Sequence, residues 1–405
     1  MTKDTTDFTT ERTRIRWIVL VINWLAVFFL YATWLFILVV FEDTSLNETE
    51  QYWVWTLPFI GLACIALPAG LIIDKYGLKK TGFLGLSIVI VAAFWRASGF
   101  DFLTLAASSI LLGFGIGMVI PIGNKLISLW FVAKEIGTAS GITVMAAGLG
   151  IALSQSISAS LLKPLLGSWQ AVFYFYAICV VAVLILWNFI REKPTKFVKH
   201  SRVPLRESLS KIIRNKFVWM LAGINFVILA VFYTILKALH PIFLAKLADE
   251  TQANLVIALI SYAAMISNIL MPIISDRLKN RKTLLLLAFI VLVPSLIIVY
   301  FVEGLWIWIL SFVIGFMVGT ITPILLAIPI ELKGVGHSYV AGATGLMTAV
   351  GKVGGLAIPM VYLLIATSSA EIIGFVFLAI LVIGAILLVL PVPETAGKAR
   401  EADTE

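Results

Sequence analysis

The chain has 405 residues, of which 61% are hydrophobic and 13% are charged, and its formal net charge is +8 at pH 7. Average soluble domains contain roughly 45–50% apolar and about 25% charged residues, so this composition excludes an ordinary soluble domain. The positive charge does not indicate nucleic-acid binding, because the basic residues gather at the ends of long apolar stretches.

The apolar stretches are each about 20 residues or longer, which is enough to cross a bilayer as a helix. We predict an all-α membrane protein with twelve transmembrane helices. Their predicted ranges are 17–41, 51–73, 81–99, 102–130, 137–162, 169–190, 216–244, 252–274, 283–302, 305–330, 336–364 and 371–391.

Basic residues alternate with acidic or nearly neutral loops along these stretches. Lys and Arg are concentrated in the N-terminal tail, in two short turns and in the central loop, which predicts that these segments are cytoplasmic. Both termini are then cytoplasmic, and the expected location is the cell membrane. The predicted organisation is a tail (1–16), a six-helix half (17–190), a linker (191–215), a second six-helix half (216–391) and a C-terminal tail (392–405).

One basic pattern occurs twice, 202 residues apart, and in both copies it follows an apolar stretch. We call these segments the first basic turn (70–80) and the second basic turn (272–282). We interpret both as gating motifs that act as cytoplasmic latches. Their key residues are Gly70, Asp74, Lys75, Gly77, Lys79 and Lys80 in the first, and Asp276, Arg277, Arg281 and Lys282 in the second.

The same offset of 202 relates other parts of the two halves. Asn23 and Tyr31 map onto Asn225 and Tyr233, and the pattern Gly-Phe-x-x-Gly-x-x-x-Pro begins at both Gly113 and Gly315. The sequence therefore predicts two similar halves in parallel order, as in many transporters.

The basic turns resemble the Gly-x-x-x-Asp-Arg/Lys-x-Gly-Arg/Lys-Lys signature of the major facilitator superfamily. The first turn matches it well, whereas the second has Pro272 and Lys279 in place of the two glycines. The resemblance implies two pseudo-symmetric six-helix halves and transport by alternating access. It also implies that helices 1, 4, 7 and 10 line the substrate cavity and that helices 2, 5, 8 and 11 flank it.

Four basic residues fall inside predicted helices, where an ionisable group is costly and commonly functional. Lys352 and Lys237 are predicted to hold the substrate. Lys125 is predicted either to pair with Asp74 or to meet the substrate. Arg96 is predicted to be an anchor that reaches the outer membrane interface.

No Asp or Glu lies well inside a predicted helix, so buried lysines would leave uncompensated positive charge. An anionic substrate would neutralise that charge in the low-dielectric interior. The pattern thus favours an anion carried by exchange or uniport. Around the lysines, Trp34, Tyr31 and Tyr233 are candidates to shape the pocket, and Gln155 to donate a hydrogen bond.

Two branches of the superfamily are similar to parts of this chain. The stretch from Leu129 to Gly141 resembles a segment of the oxalate:formate antiporter and monocarboxylate carriers, whose helix 11 lysine Lys352 would match. Trp34, Tyr233 and the stretch from Ser128 to Glu135 are similar to the feline leukaemia virus receptors, which carry choline or haem. A lysine at position 352 would repel choline, so this second likeness is taken as architectural.

We therefore expect a transporter of a small organic anion, a mono- or dicarboxylate, that works as a monomer in the lipid bilayer. The alternatives left open are a carrier of choline-like cations or amphiphiles and, in another class, a non-transporting receptor on the same fold. An enzyme is not expected, because the sequence shows no phosphate-binding loop, metal-ligand cluster or nucleophile arrangement. No cofactor, metal ion or nucleic acid is expected.

Overall fold

The computed structural model describes residues 3–99, 101–131, 133–190, 212–332, 335–366 and 371–395. Helices dominate this part of the chain, and they pack into two compact units. Unit 1 comprises Met1–Leu46 and Ile60–Val198, and unit 2 comprises Asn47–Phe59 and Lys199–Glu405. The predicted linker, 191–215, lies mostly outside the described residues, and so does the end of the C-terminal tail.

Among the described residues, eight helices precede the central loop. They are α1 (Lys3–Leu35), α2 (Glu48–Thr56), α3 (Pro58–Tyr76), α4 (Leu78–Ala97), α5 (Phe102–Trp130), α6 (Ala133–Ile157), α7 (Lys163–Leu166) and α8 (Trp169–Trp187). Two 3₁₀ segments, Phe36–Val39 and Phe41–Asp43, follow α1, and a π-helical segment, Ser158–Leu162, joins α6 to α7. Of these elements, α2 and the first two residues of α3 pack with unit 2.

The part of the chain that the structure describes after the central loop contains six further helices, all of them in unit 2. They are α9 (Lys216–Leu247), α10 (Glu250–Leu278), α11 (Arg281–Phe301), α12 (Leu305–Glu331), α13 (Gly336–Ala366) and α14 (Glu371–Val389).

Short polar side chains define where several helices begin. Asp101 accepts a hydrogen bond from the Thr104 backbone N–H, and Asn280 accepts one from that of Thr283. At α2 the capping is reciprocal, because Asn47 and Glu50 each bond the backbone N–H of the other. These caps satisfy N–H groups that have no partner within the helix itself.

The packing within each unit follows the sequence repeat. In unit 1, α1 lies along α6 and α4 lies against α5 and α8; in unit 2, α9 lies along α13 and α11 lies against α12 and α14. Glycines at repeat-related positions make close approaches to neighbouring helices. A Cβ atom on Gly319 would stand 2.2 Å from the Ala264 carbonyl oxygen, and one on Gly117 would stand 2.2 Å from the Ile65 side chain. Small residues of this kind let membrane helices pack backbone to backbone.

Eleven helices of the described residues are long and apolar enough to cross a membrane. They correspond to eleven of the twelve predicted stretches. The remaining stretch, 51–73, is divided at Leu57 into α2 and α3. Pro58 explains the division, because it has no backbone N–H to continue the helical hydrogen bonds.

Candidate functional site

An aromatic cluster in unit 2 surrounds Tyr233 of α9, which is 7% exposed. The indole Nε1 of Trp55 in α2 donates a hydrogen bond to the Tyr233 carbonyl oxygen at 3.2 Å, and the two rings lie 5.8 Å apart. The ring of Phe59 meets that of Tyr233 edge to face at 4.8 Å. A Cβ on Gly355 of α13 would stand 2.7 Å from the Phe59 ring, so only a glycine leaves room for it.

Lys237 lies one turn beyond Tyr233 on α9 and joins the same cluster. Its Nζ donates a hydrogen bond to Oε1 of Gln51 at 2.6 Å and stands 5.8 Å from the centre of the Tyr52 ring. Residues of α2 thus contact two of the predicted site residues, Tyr233 and Lys237.

Lys352 is half-buried on α13. In the sequence it lies between two glycines that closely approach other side chains. Gly351 approaches Asn225 of α9, and Gly355 approaches Phe59. Among the described residues, no side chain or carbonyl forms a hydrogen bond or ion pair with its ammonium group. The position therefore holds a lysine whose charge no described neighbour neutralises.

The predicted site residues of unit 1 lie on α1 and α6. The Tyr31 and Trp34 rings stack with their centres 6.1 Å apart and an interplanar angle of 27°. Trp34 is 1% exposed, so Tyr31 presents the more accessible face of this pair. Gln155 of α6 is fully buried, and within the described part of the chain neither atom of its amide group has a hydrogen-bond partner.

Lys125 is half-buried on α5. The side chain of Asp74 and the surroundings of Gly70 lie outside the described part of the structure. The pairing of Lys125 with Asp74 therefore stays a prediction.

Arg96 does not reach a membrane interface as predicted, because its side chain is 1% exposed. It lies in the last turn of α4, where its guanidinium donates to Ser109 Oγ and to the Thr33 carbonyl oxygen. Neighbouring helices α1 and α5 supply these acceptors, which keep the group inside unit 1. The prediction of an interfacial anchor was wrong.

The second basic turn forms a charge cluster centred on Arg281. Its Nε and Nη2 atoms each donate to one oxygen of Glu331 at 2.7 Å, and Nη2 also donates to Asp276. The Glu394 carboxylate accepts from the backbone N–H groups of Arg281 and Lys282, where α11 begins. Arg277 is exposed on α10.

The first basic turn is held differently. Gly77 has a φ angle of 87°, which favours glycine, and it caps α4. Lys79 Nζ donates to the Asn188 carbonyl oxygen at 2.6 Å, and Trp187 Nε1 donates to the Lys79 carbonyl oxygen at 3.2 Å. Lys75 and Lys80 are exposed.

The sequence did not identify Gln51, Tyr52 and Phe59 as parts of the Lys237 cluster, nor Glu394 as part of the second basic turn. Gln51 is a polar residue at the start of an apolar stretch, and that was the signal available. No sequence pattern pairs Glu394 with a turn that lies about 110 residues earlier. Among the described residues, no group of three His, Cys, Asp or Glu side chains is placed to hold a metal ion.

The sequence of this chain is similar to a known protein family and to several known proteins. The sequence model of the Major Facilitator Superfamily matches residues 19–359 and 238–405. The hexuronate transporter of Bacillus subtilis is 27% identical over 161 residues, which span 40% of this chain and 38% of that protein. The chain therefore aligns with less than two thirds of that relative.

Two further relatives are named for other organic acids. The probable galactarate/D-glucarate transporter GarP of Escherichia coli is 26% identical over 179 residues, which cover 41% of this chain and 38% of that protein. The probable sulfoacetate transporter SauU of Cupriavidus necator is 25% identical over 410 residues, which cover 89% of this chain and 91% of that protein.

Proposed function

The chain belongs to the Major Facilitator Superfamily of multi-pass membrane transporters, and we propose that it carries small organic acid anions of the mono- or dicarboxylate class. Transport would proceed by alternating access, as exchange or uniport. The observation that supports this proposal most is Lys352, an intramembrane lysine with no neutralising group among the described residues.

The cost of burying a charge gives this observation its weight. A cation taken out of water is expensive unless a partner of opposite charge and its hydrogen bonds compensate it. Intramembrane ionisable residues accordingly tend to mark substrate pathways. A carboxylate substrate would supply the missing partner to Lys352, whereas an organic cation would be repelled.

The relatives support the same class of substrate. Hexuronate, galactarate, D-glucarate and sulfoacetate, the compounds in their names, are all organic acid anions. Identities of 25–27% do not decide among these acids. The substrate class is therefore proposed at the level of the acid group.

Each unit contributes its own side chains to the proposed substrate contacts. In unit 2, Lys352 and Lys237 bind the carboxylate and Tyr233 supplies an aromatic wall. In unit 1, Tyr31 and Trp34 form an aromatic wall, Gln155 donates a hydrogen bond, and Lys125 meets the entering anion. The basic turns act as latches that open and close with the transport cycle.

One observation favours a second candidate. The rings of Trp55, Phe59 and Tyr233 lie close together, and aromatic clusters attract quaternary ammonium groups. A choline-like cation is therefore the alternative that the test must separate from an acid.

The test is uptake by purified protein in liposomes, with D-glucuronate, D-glucarate, sulfoacetate and choline as labelled substrates. Preloading the liposomes with unlabelled substrate separates exchange from uniport. We expect at least one acid to accumulate, and we expect Lys352→Gln to lower kcat/KM about 10–100-fold, as loss of a charge-assisted hydrogen bond predicts.

Lys246→Gln is the matched control, because Lys246 is also in unit 2 but donates to the carbonyl oxygens of Tyr300 and Val302. It should leave uptake within about twofold, since it removes no proposed substrate contact. Uptake of choline alone, or full acid uptake by Lys352→Gln, would contradict the proposal.

A further inference from the structure

Among the residues whose burial the structure describes, Arg96 is the most deeply buried cation that the proposed transport mechanism leaves unused. Its Nη2 donates to Ser109 Oγ of α5 at 2.5 Å, and its Nη1 donates to the Thr33 carbonyl oxygen of α1 at 3.4 Å. Both acceptors are neutral. No carboxylate within the described ranges pairs with the guanidinium, and its Nε atom has no hydrogen-bond partner there.

This arrangement is costly for the folded protein. A buried guanidinium with only neutral acceptors keeps its full charge in a low-dielectric region. Ser109 and a carbonyl oxygen would be satisfied equally well by a neutral donor, so hydrogen bonding alone gives no reason for an arginine. The charge itself is the feature that needs a function.

The acceptor on α1 points to that function. Thr33 precedes Trp34 and lies two residues after Tyr31, and its carbonyl oxygen accepts from Arg96 Nη1 at 3.4 Å. A unit charge acts over several ångströms in a low-dielectric interior. An anion bound beside Tyr31 and Trp34 would therefore be attracted by the Arg96 guanidinium.

We propose that Arg96 determines charge selectivity beside Tyr31 and Trp34 in unit 1, by making the local potential positive. This inference rests on the proposed transport of organic acids and adds a residue to that site. Arg96 acts through space and through the Thr33 carbonyl, without touching the substrate.

The magnitude follows from Coulomb's law. At an effective dielectric constant of about 20, two unit charges 8–10 Å apart interact strongly enough to change affinity roughly 10-fold or somewhat more. The attraction is about twice as strong for a dianion as for a monoanion, so the affinity factor applies once to a monoanion and is multiplied by itself for a dianion. Removing the charge should therefore change the preference for a dianion over a monoanion by roughly 10-fold.

The experiment compares uptake of D-glucarate, which has two carboxylates, with that of D-glucuronate, which has one. Arg96→Gln, Arg96→Lys and Ser109→Ala are measured beside the unchanged protein in liposomes, and KM and kcat are determined separately. Thermal unfolding of each variant in detergent shows whether it is folded.

We expect Arg96→Gln to raise the KM for both acids and to lower the D-glucarate preference roughly 10-fold, with kcat changing less. Arg96→Lys keeps the charge and should keep the preference within about threefold. Ser109→Ala removes the tether but leaves the charge, so its preference should also stay close to that of the unchanged protein.

If Arg96 had a purely structural role, the variants would show a different pattern. Ser109→Ala would then reproduce the Arg96→Gln result, and both acids would lose uptake equally. Either finding overturns the inference, as does an unchanged preference in Arg96→Gln. If Arg96→Gln does not fold, a loss of preference in Arg96→Lys overturns it instead. If the unchanged protein takes up none of D-glucuronate, D-glucarate and sulfoacetate, the proposed function itself is refuted, which separates the two failures.

Discussion

In unit 1 the basic turn between α3 and α4 contains Lys79, and in unit 2 the corresponding turn between α10 and α11 contains Arg281. Lys79 donates a hydrogen bond to the Asn188 backbone carbonyl, whereas Arg281 is held by two oxygens of Glu331 and by Asp276. The residue 202 positions before Glu331 is Leu129, so unit 1 has no matching carboxylate at that position.

The same contrast appears at a second pair of related positions. The Asn225 side chain of α9 donates to the Met347 carbonyl oxygen of α13 at 2.8 Å. Its counterpart Asn23 is fully buried on α1, and in the described part of unit 1 neither atom of its amide has a hydrogen-bond partner. At these two pairs of positions the described parts of the units therefore differ in their polar contacts, although the glycine packing of the helices is shared.

The largest effect that would sharpen this comparison is expected at the second basic turn. Arg281 and Glu331 have side chains that are each 10% exposed, so Arg281→Ala leaves a buried carboxylate without its partner. We expect it to lower the free energy of unfolding by about 3–5 kcal/mol. Lys79→Ala removes a partly exposed contact and should cost about 0–1 kcal/mol. Titration with SDS in detergent micelles measures both.

Arg281→Lys serves as the control for geometry. It keeps the charge but cannot donate to both oxygens of Glu331 in the fork arrangement, so an intermediate loss is expected. A loss for Lys79→Ala as large as that for Arg281→Ala would show that the two turns are equivalent despite their different partners.

A smaller difference is expected between Asn225→Ala and Asn23→Ala. Both remove the same atoms, but only the first breaks a hydrogen bond and leaves the Met347 carbonyl oxygen without that donor. Asn225→Ala should therefore be more destabilising than Asn23→Ala by about 1–3 kcal/mol in the same titration. Equal losses would mean that Asn23 also has a hydrogen-bond partner in the folded protein.

The sequence predicted the features of this fold that depend on length and periodicity. Eleven apolar stretches appear as helices, because a run of about 20 apolar residues has few other stable conformations in a membrane. The glycine patterns at Gly117 and Gly319 also mark close helix contacts. The stretch 51–73 is divided into two helices, and Pro58, which divides it, was visible in the sequence.

The candidate site was less predictable. The proximity of Tyr233 and Lys237 on one helix face followed from their spacing, but their contacts with Trp55 and Gln51 depend on the packing of α2 in unit 2. The prediction that Arg96 lies at the membrane interface was wrong, because a basic residue near a helix end is equally compatible with an interface and with an interior position. Only tertiary packing, through Ser109 and Thr33, distinguishes the two.

The smallest expected effect concerns Asp43 of unit 1, whose counterpart 202 residues later is Ala245. Partial burial disfavours the charged form of Asp43, but hydrogen bonds from Lys163 and Trp169 outweigh it and lower the pKa of the carboxyl below its usual range. A lowered pKa in the folded state means that this stabilisation is complete above the unfolded pKa of about 3.9. It is lost as the pH falls further, through the lowered pKa.

Asp43→Asn should therefore unfold at a slightly lower temperature than the unchanged protein near pH 7. The side chains of Asp43 and Lys163 are 44% and 35% exposed, so solvent screens the pair and the difference should be no more than about 2 °C. Because protonation removes the same charge from the unchanged protein, the difference should shrink as the pH falls below about 4. A difference that persists undiminished in acid would mean that the pair does not depend on the Asp43 charge, and that the Trp169 hydrogen bond alone holds this end of unit 1.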